Sequence, residues 1–332
     1  MMIQRRAPLP QDVLIDIDFS GVCHSDIHQA RDEWGEGIYP MVPGHEIVGK
    51  VSQVGESVNK WRVGDSVGVS VFVDSCRECE ACMSGEQQYC EKGPSYTYNS
   101  WDQDKKTPTY GGYSTRITVN ENYVLRIPAG MLPDRTAPLL CAGITTYSPL
   151  RHFGLKRGDK IGVVGLGGLG HMGVKFAKAF GAEVTVVSHS PAKKDDAMRL
   201  GAQEFITVTE PRAFESNAGK FDFLLDTVSG AHDLNSYMKL LKRDGTMILV
   251  GLPEPSILRS QSVVDRRLSL VGSSSGGIRE TQAMLDFCSR NEIAADVEVV
   301  QMGAINEAFE RTIRGDVRYR FVIDIQKFRE AS

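Results

Sequence analysis

Six of the chain's seven cysteines fall into two metal-ligand spacings, and each constrains the fold around it differently. Cys76, Cys79, Cys82 and Cys90 form a C-x2-C-x2-C-x7-C run. Thiolates are soft, charged donors, and a C-x2-C turn presents two sulfurs to one ion. The run therefore suits a closed, tetrahedral structural zinc on a loop with little apolar content of its own. That ion would supply much of the folding energy of the lobe. Cys23 and Cys141 lie far apart, with His45 between them in Gly44-His45-Glu46. Two cysteines and one histidine leave a fourth position open for water or substrate, as catalytic zinc requires.

Rival readings of the cysteines fit less well. A bacterial-type iron–sulfur run ends C-x3-C-P, but here the last gap is seven residues and Glu91 follows Cys90. A nucleic-acid-binding zinc module needs surrounding cations, and the lobe sets Arg77 and Lys92 against Glu78, Glu80, Glu86 and Glu91. The net charge of −4 and the lack of a long basic block also argue against nucleic acid as a partner. No stretch approaches the roughly 18 apolar residues of a membrane span, so no membrane partner is expected. The segment MMIQRRAPLPQD lacks the apolar core of a signal peptide. A cytoplasmic protein is expected, and in a reducing compartment close thiols are metal ligands rather than disulfides. Cys288, in TQAMLDFCSRNEI, reads as a small buried hydrophobe. Taken alone, Cys141 in APLLCAGITTY suits the same plain reading.

The patterning divides the 332 residues into two parts. Residues 12–19 alternate Val13, Ile15, Ile17 and Phe19 with the other face, a period of two. Gly-bearing turns follow in EIVGKVSQVGESV and RVGDSVGVSV, which suits an all-β, barrel-like domain interrupted by the cysteine lobe. Cys23 and His45 are expected on neighbouring β-turns. From about residue 142 the pattern becomes strand, tight turn, helix, then strand again in EVTVVS, FDFLLDTV and GTMILVGL. That alternation predicts a doubly wound parallel sheet of the dinucleotide-binding, Rossmann type. The expected fold class is α/β. The catalytic domain is placed at residues 1–141 and 277–332, with its lobe at about 74–92, and the nucleotide domain at 142–276.

Gly165-Leu166-Gly167-Gly168-Leu169-Gly170 contains G-x-G-x-x-G after IGVV and before a helix. Gly165 permits the tight turn, Gly167 lets a pyrophosphate approach the backbone, and Gly170 allows close helix–strand packing. Gly168 and Leu169 complete the cofactor turn. The next strand ends in Ser188-His189-Ser190-Pro191-Ala192-Lys193-Lys194. An NAD enzyme usually places Asp or Glu there to hold the ribose hydroxyls. Ser188, His189, Ser190 and Lys193 instead suit a 2′-phosphate, so NADP(H) is expected. The same stretch also fits a solvated helix start.

GVCHSDIH, YPMVPGHEIVG, the four-cysteine lobe, PLLCAGITTYSPL, GLGGLG and DVRYRFVID together resemble the cinnamyl alcohol dehydrogenase group of the zinc-dependent, medium-chain family. The similarity runs over nearly the whole chain. It implies a GroES-like catalytic domain, two zinc ions per chain and a homodimer. The family's catalytic ligand positions match Cys23, His45 and Cys141, with Glu46 beside the metal. Ser25 matches the hydroxyl that exchanges a proton with the reacting oxygen, and His28 the outer end of that relay. Asp26 matches the carboxylate that orients the ligand histidine. His24 matches a position near the cofactor pyrophosphate. The implied reaction interconverts primary alcohols and aldehydes, cinnamyl, aromatic and aliphatic, by hydride transfer to a zinc-polarised carbonyl. Trp34, Tyr98, Trp101 and Ser274 match positions near the substrate channel. In the stretch Gly272-Ser273-Ser274-Ser275 the plant lignin enzymes of the group tend to have a bulky aromatic, and the small polar residues here favour a broad aldehyde range. The alternatives are an NAD-dependent polyol or secondary-alcohol dehydrogenase of the same superfamily, and a non-catalytic binding protein that keeps the fold.

Overall fold

Val13, Ile15 and Ile17 are fully buried on one face of the strand Asp12–Gly21, as their alternation predicts. Burying each contributes about 1.5–3 kcal/mol relative to exposure, so the register of this strand is strongly fixed. It pairs antiparallel with Ile47–Val54, Arg116–Asn120 and Arg320–Asp324. The sheet extends through Ser66–Val69 and Leu125–Arg126 on one side and Val297–Val300 on the other. Phe72, Ile117, Phe321 and Ile323 close the core beneath it. The computed structural model describes residues 2–330; Met1, Ala331 and Ser332, at the ends of the predicted catalytic domain, lie outside them.

The chain divides into two compact units, Met1–Ile144 with Ser275–Ser332, and Thr145–Ser274. The second unit is built on six parallel strands. Their order is Glu204–Thr207, Glu183–Ser188, Lys160–Val164, Phe221–Asp226, Leu241–Leu249, Ser269–Gly272. This is the doubly wound order 3-2-1-4-5-6, whose direction switches between the first and fourth strands. Strands such as KIGVV and EVTVVS read as continuous apolar runs because both faces are covered. Val164, Val187, Phe221, Leu224 and Met247 form one of its cores.

Two stretches differ from the sequence expectation. Residues after Cys23 form a helix, His24–Ala30, rather than a β-turn. The Asp26 carboxylate accepts the Cys23 backbone N–H at 2.9 Å, satisfying a donor that opens the helix. The cysteine lobe is also more regular than an open insertion, since it contains the helix Glu80–Ser84 and a 3-10 turn, Gln87–Tyr89. No helix among the described residues is long and apolar enough to cross a membrane.

Candidate active site and metal centres

Cys23 caps the short helix, His45 precedes the strand Ile47–Val54, and Cys141 follows the turn Ala137–Leu140. The fold brings these three segments together. Cys23 Sγ lies 3.9 Å from Cys141 Sγ, and His45 Nε2 lies 3.2 Å from Cys141 Sγ. With Glu46 they form a buried set whose ligand atoms all lie within 4.8 Å of one another. The hydrogen bond between the sulfurs pushes Cys23 well below the ordinary thiol range, against the opposing effect of burial. The same bond pushes Cys141 up. Two sulfurs, an imidazole nitrogen and a carboxylate this close are a donor set for a zinc-like cation.

Glu46 and Asp26 are both fully buried carboxylates, with opposite settings. Neither oxygen of Glu46 has a hydrogen-bond partner, although Arg320 Nη2 stands 3.3 Å from Oε1 at ion-pair distance. Burial pushes Glu46 up to about 8, with Arg320 opposing. Asp26 accepts four short hydrogen bonds, and the buried Tyr98 hydroxyl also interacts with it. Oδ1 takes His45 Nδ1 at 3.0 Å and the Gly44 N–H at 3.2 Å. Oδ2 takes the Cys23 N–H and the Tyr113 hydroxyl, each at 2.9 Å. The Nδ1 bond leaves Nε2 of His45 for a metal.

Ser25 and His28 lie three residues apart on the same helix, so they share a face. Cys23 Sγ is 3.7 Å from Ser25 Oγ. His28 Nδ1 bonds the Glu33 carboxylate, and its ring stacks on Trp34 at 4.9 Å. His24 is exposed, with its ring 5.8 Å from that of His28. Tyr98 is buried and stacks on His45 at 5.8 Å. Trp101 instead bridges to Pro108, and Ser274 belongs to the other unit.

The four clustered cysteines also converge to within 4.8 Å. Cys76 Sγ is 3.8 Å from Cys82 Sγ, and the Cys76 N–H points at Cys90 Sγ at 3.5 Å. Backbone N–H groups of Glu78 and Cys79 push Cys76 down to about 6. Burial pushes Cys82 up to about 12. Ser75 Oγ bonds Cys82 Sγ at 3.0 Å and the Tyr123 hydroxyl at 2.6 Å. None of the seven cysteines is in a disulfide.

In the second unit, Gly165 has φ +86°, which a side chain would strain, and a Cβ on Gly170 would meet the Gly165 carbonyl oxygen at 2.2 Å. A Cβ on Gly167 would meet nothing within 4 Å, so the turn presents an open cradle of the kind a pyrophosphate fills. Gly168 and Leu169 complete the turn before the helix Gly170–Ala179. Ser188 is buried at the end of its strand and accepts the Ser190 N–H at 3.2 Å. Lys193 Nζ donates to the Leu166 carbonyl at 2.9 Å, which brings its charge to the glycine turn. His189 is exposed beside them.

Two family models match, "Alcohol dehydrogenase GroES-like domain" over residues 9–129 and "Zinc-binding dehydrogenase" over residues 168–290. An NADP-dependent alcohol dehydrogenase C of Mycolicibacterium smegmatis is 54% identical over 98% of this chain and 94% of its own length. The chain belongs to the zinc-dependent, medium-chain alcohol dehydrogenases. An aldehyde reductase of Escherichia coli, YahK, is 51% identical over 98% of this chain and 93% of its own. The structure of a cinnamyl alcohol dehydrogenase of Sorghum bicolor superposes with a TM-score of 0.95. It is 44% identical and covers 98% of this chain and 93% of its own.

Within this alcohol dehydrogenase fold, sequence reasoning missed Arg320, Tyr113, Glu33 and Ser75. Arg320 lies in DVRYRFVID, but only folding brings it from 298 residues away to the Val22 carbonyl. Tyr113 reaches Asp26 across 87 residues. Glu33, five residues from His28, was the one whose spacing could have been noticed.

Proposed function

We propose that the chain is an NADP(H)-dependent zinc alcohol dehydrogenase and aldehyde reductase acting on primary alcohols and aldehydes. The buried Cys23, His45, Cys141 and Glu46 set carries this reading: two cysteine sulfurs, an imidazole nitrogen and a carboxylate with no hydrogen-bond partner suit an ion that keeps a position for exchange. Cys76, Cys79, Cys82 and Cys90 would hold a second, structural zinc. When bound, zinc supplies Lewis acidity toward a carbonyl oxygen and NADPH supplies the hydride.

The chain's own residues manage the proton. Reduction would consume an aldehyde, NADPH and one proton, and yield the alcohol and NADP+. Ser25 Oγ gives the proton to the substrate oxygen, and in oxidation takes it back. His28 resupplies it from the half-exposed end of the same helix face, with Glu33 and Trp34 fixing its ring. Asp26 holds His45 so that Nε2 faces the ligand set. Tyr98, against the His45 ring, and Trp34, against His28, would shape the substrate side.

For the cofactor, the Gly165–Gly170 turn would take the pyrophosphate, and Ser188, His189, Ser190 and Lys193 the 2′-phosphate. The name of the M. smegmatis relative and the hydroxyl at Ser188 support NADP over NAD. The substrate range would be broad, covering cinnamyl, aromatic and aliphatic aldehydes. A homodimer in the cytoplasm completes the proposal, by resemblance to the family.

The test is the initial rate of NADPH oxidation with cinnamaldehyde, benzaldehyde and butanal, beside NADH and after chelation. Chelator-sensitive turnover preferring NADPH is expected, and no turnover in zinc-loaded protein would overturn the reading. A Ser188→Asp variant should shift preference toward NADH by about 10- to 100-fold, because a carboxylate repels the 2′-phosphate. An unchanged preference would remove Ser188 from the cofactor assignment.

A further inference from the structure

We infer that Tyr113 is a positioning residue of the Cys23–His45–Cys141 centre, acting through Asp26. The inference rests on the reading of that set as a zinc site.

Asp26 is fully buried, and all its partners are hydrogen-bond donors. A buried carboxylate left short of a donor costs free energy, and it recovers the loss by moving toward the donors that remain. Two of its partners are backbone N–H groups fixed by the chain. The others are side chains, the His45 imidazole and the Tyr113 phenol, with the buried Tyr98 hydroxyl also turned toward the carboxylate. Cys23 N and Tyr113 share Oδ2, while His45 and Gly44 share Oδ1. The phenol therefore balances the imidazole across one carboxylate, and its loss lets that carboxylate rotate and take the His45 ring with it.

Tyr113 also grips the turn that carries His45. Gly111 N–H donates to the Val42 carbonyl at 2.6 Å, Gly112 N–H to Gly44 at 2.9 Å and Tyr113 N–H to Pro43 at 3.0 Å. Gly44 has φ +105°, and a Cβ there would fall 2.7 Å from Tyr113 Cδ1. The tyrosine ring thus occupies the space that glycine leaves, with Phe309 on the ring at 6.4 Å. Ring and hydroxyl have separable tasks: the ring seats the turn, and the hydroxyl sets the carboxylate. Among the described residues the hydrogen bonds of Tyr113 run to Asp26 and Pro43 and its ring meets Phe309, none of them in the four-cysteine lobe, so the effect should be confined to one centre.

The test compares wild type, Tyr113→Phe and Phe309→Leu by zinc content and by titration with a chromogenic zinc chelator, beside thermal unfolding. Wild type should hold two zinc ions per chain. Tyr113→Phe keeps the ring and removes one oxygen, and should weaken one of the two ions about tenfold, the low end for a partner behind a metal ligand. The other ion and the unfolding midpoint should stay as in wild type. Phe309→Leu, which loosens the ring but keeps the hydroxyl, should leave both ions unchanged. Equal affinities in wild type and Tyr113→Phe would overturn the inference. So would a Tyr113→Phe protein that unfolds and loses both ions, because the hydroxyl would then serve the fold at large. A matching loss in Phe309→Leu would assign the effect to packing and overturn it as well. A wild type with fewer than two zinc ions would fail the metal reading itself, which is a distinct result.

Discussion

The two cysteine clusters use similar ligands under opposite conditions. In the lobe, four thiols come from one run of 15 residues, Cys76 to Cys90, and two of them are only half buried. Backbone N–H groups and Ser75 turn toward the sulfurs. Such a loop would take much of its shape from an ion held by the four sulfurs. The other set draws on residues 23, 45 and 141, all buried against a sheet whose core includes Val22 and Ile47. Here the fold comes first and the ligands are held in place by it. A local set can build structure, whereas a set gathered from distant segments can be kept open and tuned. Asp26 and Glu46 are found only at the second.

If that contrast holds, damage to the lobe should act on folding. Cys82→Ser removes a buried thiol from the four-cysteine set, so one zinc should be lost. Protease sensitivity should appear within residues 76–92, with several kcal/mol of stability gone. Cys82→Ser protein with unchanged unfolding and cleavage would erase the distinction. Damage to the proton path should act on rate alone. His28→Gln should lower kcat about tenfold, or about 1.4 kcal/mol, with both zinc ions kept. A metal assay beside steady-state kinetics reads this, and loss of zinc would tie His28 to the fold instead. The seventh cysteine sets the baseline. Cys288 is fully buried against Met284, and Cys288→Ala should cost under about 2 kcal/mol in denaturant unfolding and change neither zinc nor turnover. A lost ion there would mean that the clusters were drawn wrongly.

What could be read from the sequence follows the same division. The lobe was legible because its ligands are near neighbours with fixed spacing. The buried strand was legible because Val13, Ile15 and Ile17 repeat every second residue. The glycine turn was legible because backbone geometry restricts residue choice at Gly165 and Gly170. The helix His24–Ala30 was not, since its seven residues are too few for a period and Cys23 is an unusual cap. Tyr113 and Arg320 were hidden for another reason. Their partners stand 87 and 298 residues away, and neither tyrosine nor arginine announces such a role by its neighbours. Burial of Glu46 likewise could not be read from GHEIVG, although its place beside a ligand could.

The most direct test is Cys23→Ser, measured for zinc per chain, thermal unfolding and NADPH oxidation in one preparation. One zinc ion per chain, an intact lobe with near wild-type unfolding and no detectable turnover are expected. Turnover in protein that holds only the lobe zinc would contradict that expectation.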